Sequence, residues 1–235
     1  MKFPDAMTHL LRALTLACLL STAAHASIVI TGTRVIYPSD AKEVSVRVSN
    51  KGKAPVLLQS WLDDGDTKAT PDKIKVPFVL TPPINRVEGG SGQTLRIRST
   101  PNTLPSDRES VFWLNVLEIP AVPNLDKQES KNFLQVAFRS RIKFFWRPAG
   151  LKGNAGDGAK ALTWHAAGNT LRVKNPSPYY VSLSTVSVGG KKADGKMIAP
   201  FSDDTYSLNA SPGSKVTAEY ISDYGALIKT ESVAK

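Results

Sequence analysis

The sequence predicts an all-β protein of two sandwich domains. Apolar and polar residues alternate with a period of two in short runs, clusters of Gly, Pro, Asn and Asp separate those runs, and a glycine-rich break divides the chain past its middle. At 235 residues there is room for two sandwiches of roughly 100 residues each.

In chain order, Thr33 to Tyr37 is strand-like, and Val44, Val46 and Val48 then alternate with Ser45, Arg47 and Ser49 before a turn at Asn50-Lys51-Gly52. Leu57 to Leu62, Leu95 to Ile97 and Val111 to Ile119 are further strands. Between them lie Asp63-Asp64-Gly65-Asp66, Thr81-Pro82-Pro83, Glu88-Gly89-Gly90-Ser91-Gly92 and Pro101-Asn102. The longest strand signal, Phe133 to Trp146, exceeds the common strand length of about five or six residues. It stops at Arg147-Pro148, and Gly153 to Gly158 offers no core residue, so a domain boundary is expected between Pro148 and Gly158. The second half resumes with strands at Leu162 to Trp164, Leu171 to Lys174, Tyr179 to Val188 and Val216 to Ile221. No window shows sustained helical spacing with caps.

The first 26 residues read as an export signal. Ala13 to Ala24 is apolar but too short to cross a hydrocarbon core of about 30 Å, and Ala24-His25-Ala26 puts small residues at −3 and −1. Cleavage after Ala26 leaves Ser27 first, and no later run is long and apolar enough for stable membrane insertion. The single cysteine, Cys18, leaves with the signal, and the mature chain keeps one histidine, His165. Disulfides, thiol nucleophiles and structural zinc are thereby excluded, and no cofactor is expected. The full chain carries a net charge of +10; without Lys2, Arg12 and Asp5 the mature chain has 28 basic and 19 acidic residues, a net +9. The cations are dispersed and the aromatics sit inside apolar runs, not beside basic residues as a base-stacking platform needs. Nucleic acid is therefore not the expected partner.

Three constellations remain. On the long strand, Leu134, Val136 and Phe138 share one face, while Gln135 and Arg139 share the other. Such a strand is either internal core or a template for another chain; three large side chains buried by a partner contribute roughly 5–9 kcal/mol, at about 1.5–3 each. Arg34 and Lys143 lie among apolar neighbours, where a cation either snorkels to water or pairs with an anion such as a carboxylate. Enzymatic signals are thin: His165 near Asp157 has no G-x-S-x-G nucleophile, and Asp63, Asp64 and Asp66 lack the glutamate that completes a calcium loop. Asn209-Ala210-Ser211 is a glycosylation sequon, a weak signal. No enzyme is expected.

Six segments in order resemble the periplasmic chaperones of the chaperone–usher pathway. They are Thr33-Arg34-Val35-Ile36-Tyr37-Pro38; Pro77 to Pro83; Leu104 to Asn115, followed by Glu118-Ile119-Pro120; Ile142-Lys143-Phe144-Phe145-Trp146-Arg147-Pro148; Asn175 to Tyr180; and Ile221-Ser222-Asp223-Tyr224-Gly225. The stretches Asp107-Arg108-Glu109-Ser110 and Ile142 to Pro148 are the most specific. The resemblance implies a signal peptide (1–26), an N-terminal immunoglobulin-like domain (27–148) and a C-terminal one (149–235) in an L or boomerang arrangement. It implies a periplasmic location, with pilus subunits and an outer-membrane usher as partners. It further implies that Arg34 and Lys143 anchor a subunit's C-terminal carboxylate, that Leu134, Val136 and Phe138 form the donor strand, and that Glu118, Arg147 and Asp223 form an interdomain salt bridge. The short segment from Ala121 to Asn132 and the absence of cysteine from the mature chain resemble the family's short-loop branch. A secreted immunoglobulin-like adhesin or carbohydrate-binding module is the alternative, and whether the free protein self-associates to cover its edge is left open by the sequence.

Overall fold

A computed structural model describes residues 27–121 and 135–235. The expected signal peptide with its cleavage site, and Leu134 of the expected donor strand, lie outside the described residues.

The first domain contains β1 (Ile28–Ile30), β2 (Arg34–Pro38), β3 (Val44–Asn50), β4 (Val56–Asp63), β5 (Phe78–Thr81), β6 (Ile84–Val87), β7 (Gly92–Ser99), β8 (Ser110–Pro120) and β9 (Phe138–Arg147). One sheet has the order β1-β3-β7-β5 and the other the order β2-β9-β8-β4-β6. All neighbours are antiparallel except β2, which runs parallel to β9. The period of two fills the space between the sheets: Val46, Val48, Leu95 and Ile97 from one meet Leu58, Leu114, Val116 and Phe144 from the other, all buried. Each contributes about 1.5–3 kcal/mol relative to an exposed position.

The second domain opens with a short helix, α1 (Ala155–Lys160), followed by β10 (Thr163–Ala167), β11 (Thr170–Lys174), β12 (Val181–Val188), β13 (Lys191–Asp194), β14 (Met197–Ile198), β15 (Asp203–Tyr206), β16 (Lys215–Ile221) and β17 (Leu227–Val233). Its sheets have the orders β10-β11-β15 and β13-β12-β16-β17, with β14 also paired to β12. Trp164, Leu171, Val173, Val186, Ile198 and Val216 lie in its core.

Besides adding the short strands β1, β5, β6, β13, β14 and β15, the structure departs from the sequence reading in three places. The glycine-rich break is helical: Asn154 caps α1 by accepting from the Asp157 N–H, and Gly158 and Ala159 are buried. A Cβ on Gly158 would lie 2.6 Å from Ser177 Oγ, so only glycine lets the helix seat against that loop. The edge strand β17 was not expected, because its charged residues Lys229 and Glu231 interrupt the apolar signal. Finally, β9 begins at Phe138; Gln135 to Ala137 are described but lie outside any strand.

Asp63, one member of the expected acidic fragment, has a different role. It is buried at the end of β4 and accepts from Arg141 Nη2 (2.5 Å), Asn115 Nδ2 (2.7 Å) and Gly65 N (2.8 Å). Burial alone would push its carboxyl up, but these donors together hold it below the usual range. Among the described residues no three His, Cys, Asp or Glu side chains converge as a metal site.

Candidate functional site

The two faces of β9 have different surroundings. Its pairing with β8 is unbroken from Phe138↔Glu118 to Trp146↔Ser110, so alternation holds along the whole strand. Ile142, Phe144 and Trp146 turn into the first-domain core, whereas Lys143, Phe145 and Arg147 turn toward the second domain. Lys143 therefore reaches the cleft without any bulge. It and Phe138 lie on opposite faces of a regular strand.

On its other edge β9 pairs with β2 only from Lys143 to Arg147, in parallel register, with Arg34 directly opposite Lys143. From Phe138 to Ile142 that edge has no partner strand among the described residues. Phe138 is 52% exposed and Val136 44%, large values for apolar side chains beside an unpaired edge.

Where β2 begins at Arg34 and the open edge of β9 stops, the domains enclose a cleft of about 470 Å³, with Arg34, Phe145, Tyr180, Ile221 and Tyr224 among its walls. Arg34 Nη1 donates to the Ile221 carbonyl (2.9 Å), and its Nε is buried without a hydrogen-bond acceptor among the described residues. Lys143 Nζ donates to Ser182 Oγ (3.1 Å). Burial pushes the Lys143 ammonium below the usual lysine range, and the Arg34 charge pushes it further the same way. Arg34 is lowered by burial, an effect that Asp223 and Glu109 offset in part. Two like charges facing each other across adjacent strands destabilise each other unless an anion lies between them.

The charged group joining the domains is not the expected one. Arg147 Nε donates to Glu109 Oε1 (2.6 Å), while Nη1 and Nη2 grip Asp223 in bidentate fashion (2.7 and 3.0 Å). Glu109 Oε2 also accepts from the Tyr180 N–H (2.8 Å), and Glu109 N donates to the Pro178 carbonyl (2.9 Å). Glu118 takes no part in this group. It sits nine residues along β8, roughly 30 Å away at 3.3 Å per residue, where it binds Ser27 Oγ and the Ile28 N–H. Glu109 was missed although it belongs to the quoted Asp107-Arg108-Glu109-Ser110 stretch; the signal that finds it is strand register, since antiparallel β8 and β9 put the start of one beside the end of the other. Arg108, next in the chain, turns to the other side and stacks on Phe201 of the second domain at 5.0 Å.

Glu109 is 3% exposed. Changing Glu109 to Ala leaves Arg147 with one partner and the Tyr180 N–H with none. The expected loss is about 2–4 kcal/mol of interdomain stability, seen as earlier unfolding and a broader distribution of interdomain distances between spin labels. Unchanged values on both measurements would contradict the clamp.

Comparison with known proteins agrees with this architecture. Residues 27–152 match the family described as pili and flagellar-assembly chaperone, PapD N-terminal domain, and residues 157–232 match its C-terminal counterpart. The chain is 49% identical to the chaperone protein FimB/FhaD of Bordetella pertussis over 217 residues, covering 88% of each chain. It is 47% identical to the chaperone protein MrkB of Klebsiella pneumoniae over 222 residues, covering 92% of this chain and 95% of the relative. Among solved structures, the Escherichia coli YadV chaperone superposes with a TM-score of 0.75 at 46% identity, covering 88% of this chain and all of that one. The SafB chaperone of Salmonella enterica, solved in complex with the SafA pilin, superposes with a TM-score of 0.77 at 31% identity, covering 90% and 98%. With both halves matched, the chain belongs to the PapD-like pilus-assembly chaperones, a family of two immunoglobulin-like sandwich domains.

Proposed function

We propose that this chain is a non-catalytic periplasmic chaperone that holds pilus subunits by lending them a β-strand and delivers them to an outer-membrane usher. The observation that carries the reading is an open strand edge running directly into two half-buried cations, neither of which forms a salt bridge with a carboxylate among the described residues. The C-terminal carboxylate of a subunit supplies the missing anion, with Arg34 and Lys143 as its anchor, and the subunit's last strand occupies the edge of β9. Strand addition of this kind is an established recognition mode of chaperone–pilin pairs.

An anchor at Arg34 and Lys143 implies a direction for the incoming strand. Its carboxyl end lies at Lys143 and its body extends back toward Phe138, so it runs parallel to β9 and end to end with β2. Leu134, Val136 and Phe138 then project into the subunit's incomplete core, and the clamp of Arg147 with Glu109 and Asp223 holds the cleft open at a fixed angle. The export signal is assigned to residues 1–26 with cleavage after Ala26, and the domains to 27–148 and 149–235. An adhesin or carbohydrate-binding module is not favoured, given a family membership that spans both domains.

Co-expression with a subunit of the same fimbrial system, followed by purification from the periplasm, tests the reading. A one-to-one complex with a small β-rich subunit is expected; equal recovery of soluble subunit without the chain overturns it. Affinity is also expected to depend on pH. A bound carboxylate favours charged Lys143 and raises its lowered pKa, so binding takes up protons. Affinity is therefore constant near neutrality and falls as pH rises through the alkaline range in which free Lys143 loses its proton. A titration series read by calorimetry checks the sign.

A further inference from the structure

Glu118, absent from the interdomain group, is a buried carboxylate in an apolar setting. It is 7% exposed and shares the inward face of β8 with Leu114 and Val116. Its cross-strand neighbours, Leu58 and Phe138, are both apolar. Among the described residues its carboxylate takes only neutral donors: Ser27 Oγ donates to Oε1, and the Ile28 N–H donates to Oε2 (3.1 Å). A buried carboxylate is costly unless a cation answers it.

Both donors come from the opposite sheet, and the segment that carries them is held in place. Ile28 is buried and pairs with Asn50, and Lys51 N donates to the Ser27 carbonyl (2.6 Å). A Cβ on Gly52 would lie 2.8 Å from Ser27 Cβ, so glycine there lets Ser27 lie close against the turn after β3. The Ser27 nitrogen is three bonds from the hydroxyl that bonds Glu118. A positive charge on that nitrogen therefore lies within about 6 Å of the carboxylate, the range in which opposite charges stabilise each other.

We propose that Glu118 is the receptor for the amino terminus that signal cleavage creates, so that the first domain closes fully only in the processed chain. The proposal rests on the assignment of cleavage after Ala26. Hydrolysis of the Ala26–Ser27 bond leaves a carboxylate on Ala26 and a protonated amine on Ser27. Before cleavage the Ser27 nitrogen is a neutral amide and brings Glu118 no counter-charge. After cleavage it is an ammonium, and an ordinary pKa of about 8 keeps it charged at neutral pH. The resulting ion pair joins the two sheets at the end of the sandwich where β9 begins, because Phe138 stands directly opposite Glu118. Processing thus firms the base from which the open edge of β9 runs.

The test compares four whole proteins purified from the periplasm: the wild type, a chain with one glycine inserted between Ala26 and Ser27, Glu118→Gln, and the two changes combined. The inserted residue moves the ammonium by about 3.8 Å. In the wild-type background it is expected to lower the melting temperature of the first domain by about 4–8 °C. In the Glu118→Gln background, where the charge is already gone, it is expected to leave the melting temperature unchanged. The α-amine of the wild type is also expected to react several-fold more slowly with an acylating reagent near neutral pH than that of Glu118→Gln, with lysine labelling unchanged, because an ammonium paired with a carboxylate holds its proton. Mass spectrometry of the amino-terminal peptide reads the rate. Equal destabilisation by the glycine in both backgrounds, or equal acylation rates, overturns the receptor role and leaves Glu118 as an acceptor for Ser27 and Ile28 alone. A glycine that leaves the wild-type melting temperature unchanged overturns it as well, whether or not Glu118→Gln folds. Intact mass of the exported wild type separates this from the cleavage assignment. A mature chain beginning at a residue other than Ser27 overturns the assignment and the proposal together, whereas a start at Ser27 without coupling to Glu118 overturns the proposal alone.

Discussion

Replacing Lys143 with Ala is expected to eliminate recovery of chaperone–subunit complex while leaving the free protein folded. Among the described residues the Lys143 side chain makes one hydrogen bond, to Ser182, and lies half-buried opposite another cation. Removing it costs that charge-assisted bond, worth about 1.5–3 kcal/mol, against which it relieves both its own desolvation and the repulsion from Arg34. Free-protein stability should therefore stay within about 1 kcal/mol of wild type. In the complex the balance reverses. A terminal carboxylate lodged between Arg34 and Lys143 loses one of its two charged donors in a partly dry cleft, and truncation of such a pair costs about 2–5 kcal/mol. At 1.4 kcal/mol per tenfold, affinity falls by roughly thirty- to several-thousand-fold. Lys143→Met separates charge from packing, since it keeps an unbranched stem and discards the ammonium. Periplasmic complex yield and denaturant midpoint, measured for both variants, check the expectation. Normal yield with Lys143→Ala would sink the anchor reading.

The parts of the molecule visible in the sequence are those governed by local pattern. Val46 and Val48 alternate with Ser45 and Arg47, so β3 declares both its type and its buried face. β8 and β12 are apolar enough to be found by the same rule. The edge strand β17 is not, because exposed positions on both of its faces tolerate Lys229, Glu231 and Thr230, and the apolar alternation disappears. Arg34 and Lys143 could be picked out singly as cations among apolar neighbours. Their direct opposition depends on parallel pairing between strands more than a hundred residues apart, and no local pattern encodes that register. The same limit explains Glu118: a carboxylate in an apolar strand is a fair candidate for Arg147, but β8 places it at the far end from that arginine. Helix α1 was hidden for a different reason. A six-residue helix with two glycines has neither an apolar stripe nor good intrinsic propensity, and it forms because Asn154 caps it and Gly158 fits against Ser177.

Phe138→Asp is expected to destroy subunit binding, and the reason lies in what Phe138 does not do in the free protein. At 52% exposed it gives the first-domain core little, and Val136, 44% exposed, precedes the strand altogether. If a subunit covers these side chains, each contributes about 1.5–3 kcal/mol to the complex; an aspartate there forfeits that and also buries a carboxylate without a partner. Together these terms amount to a loss of at least a thousandfold for either Val136→Asp or Phe138→Asp. Phe138 stands opposite Glu118 across the β8–β9 pair, so an aspartate at 138 adds a like-charge neighbour and lowers the stability of the free protein by up to about 1 kcal/mol. Phe138→Asn removes that complication: it is polar and uncharged, and should abolish binding with no change in the unfolding midpoint. Gln135 is the contrasting site, since it is exposed, lies on the opposite parity, and makes one hydrogen bond to the Pro120 carbonyl. Gln135→Asp should form complex at nearly the wild-type yield. Complex yield from periplasm, read beside thermal unfolding of each free variant, distinguishes the outcomes. Loss of binding with a wild-type melting curve assigns Phe138 to the partner's core. Global unfolding of both Phe138→Asp and Phe138→Asn would instead return the residue to the chain's own core and leave β9 without its donor role.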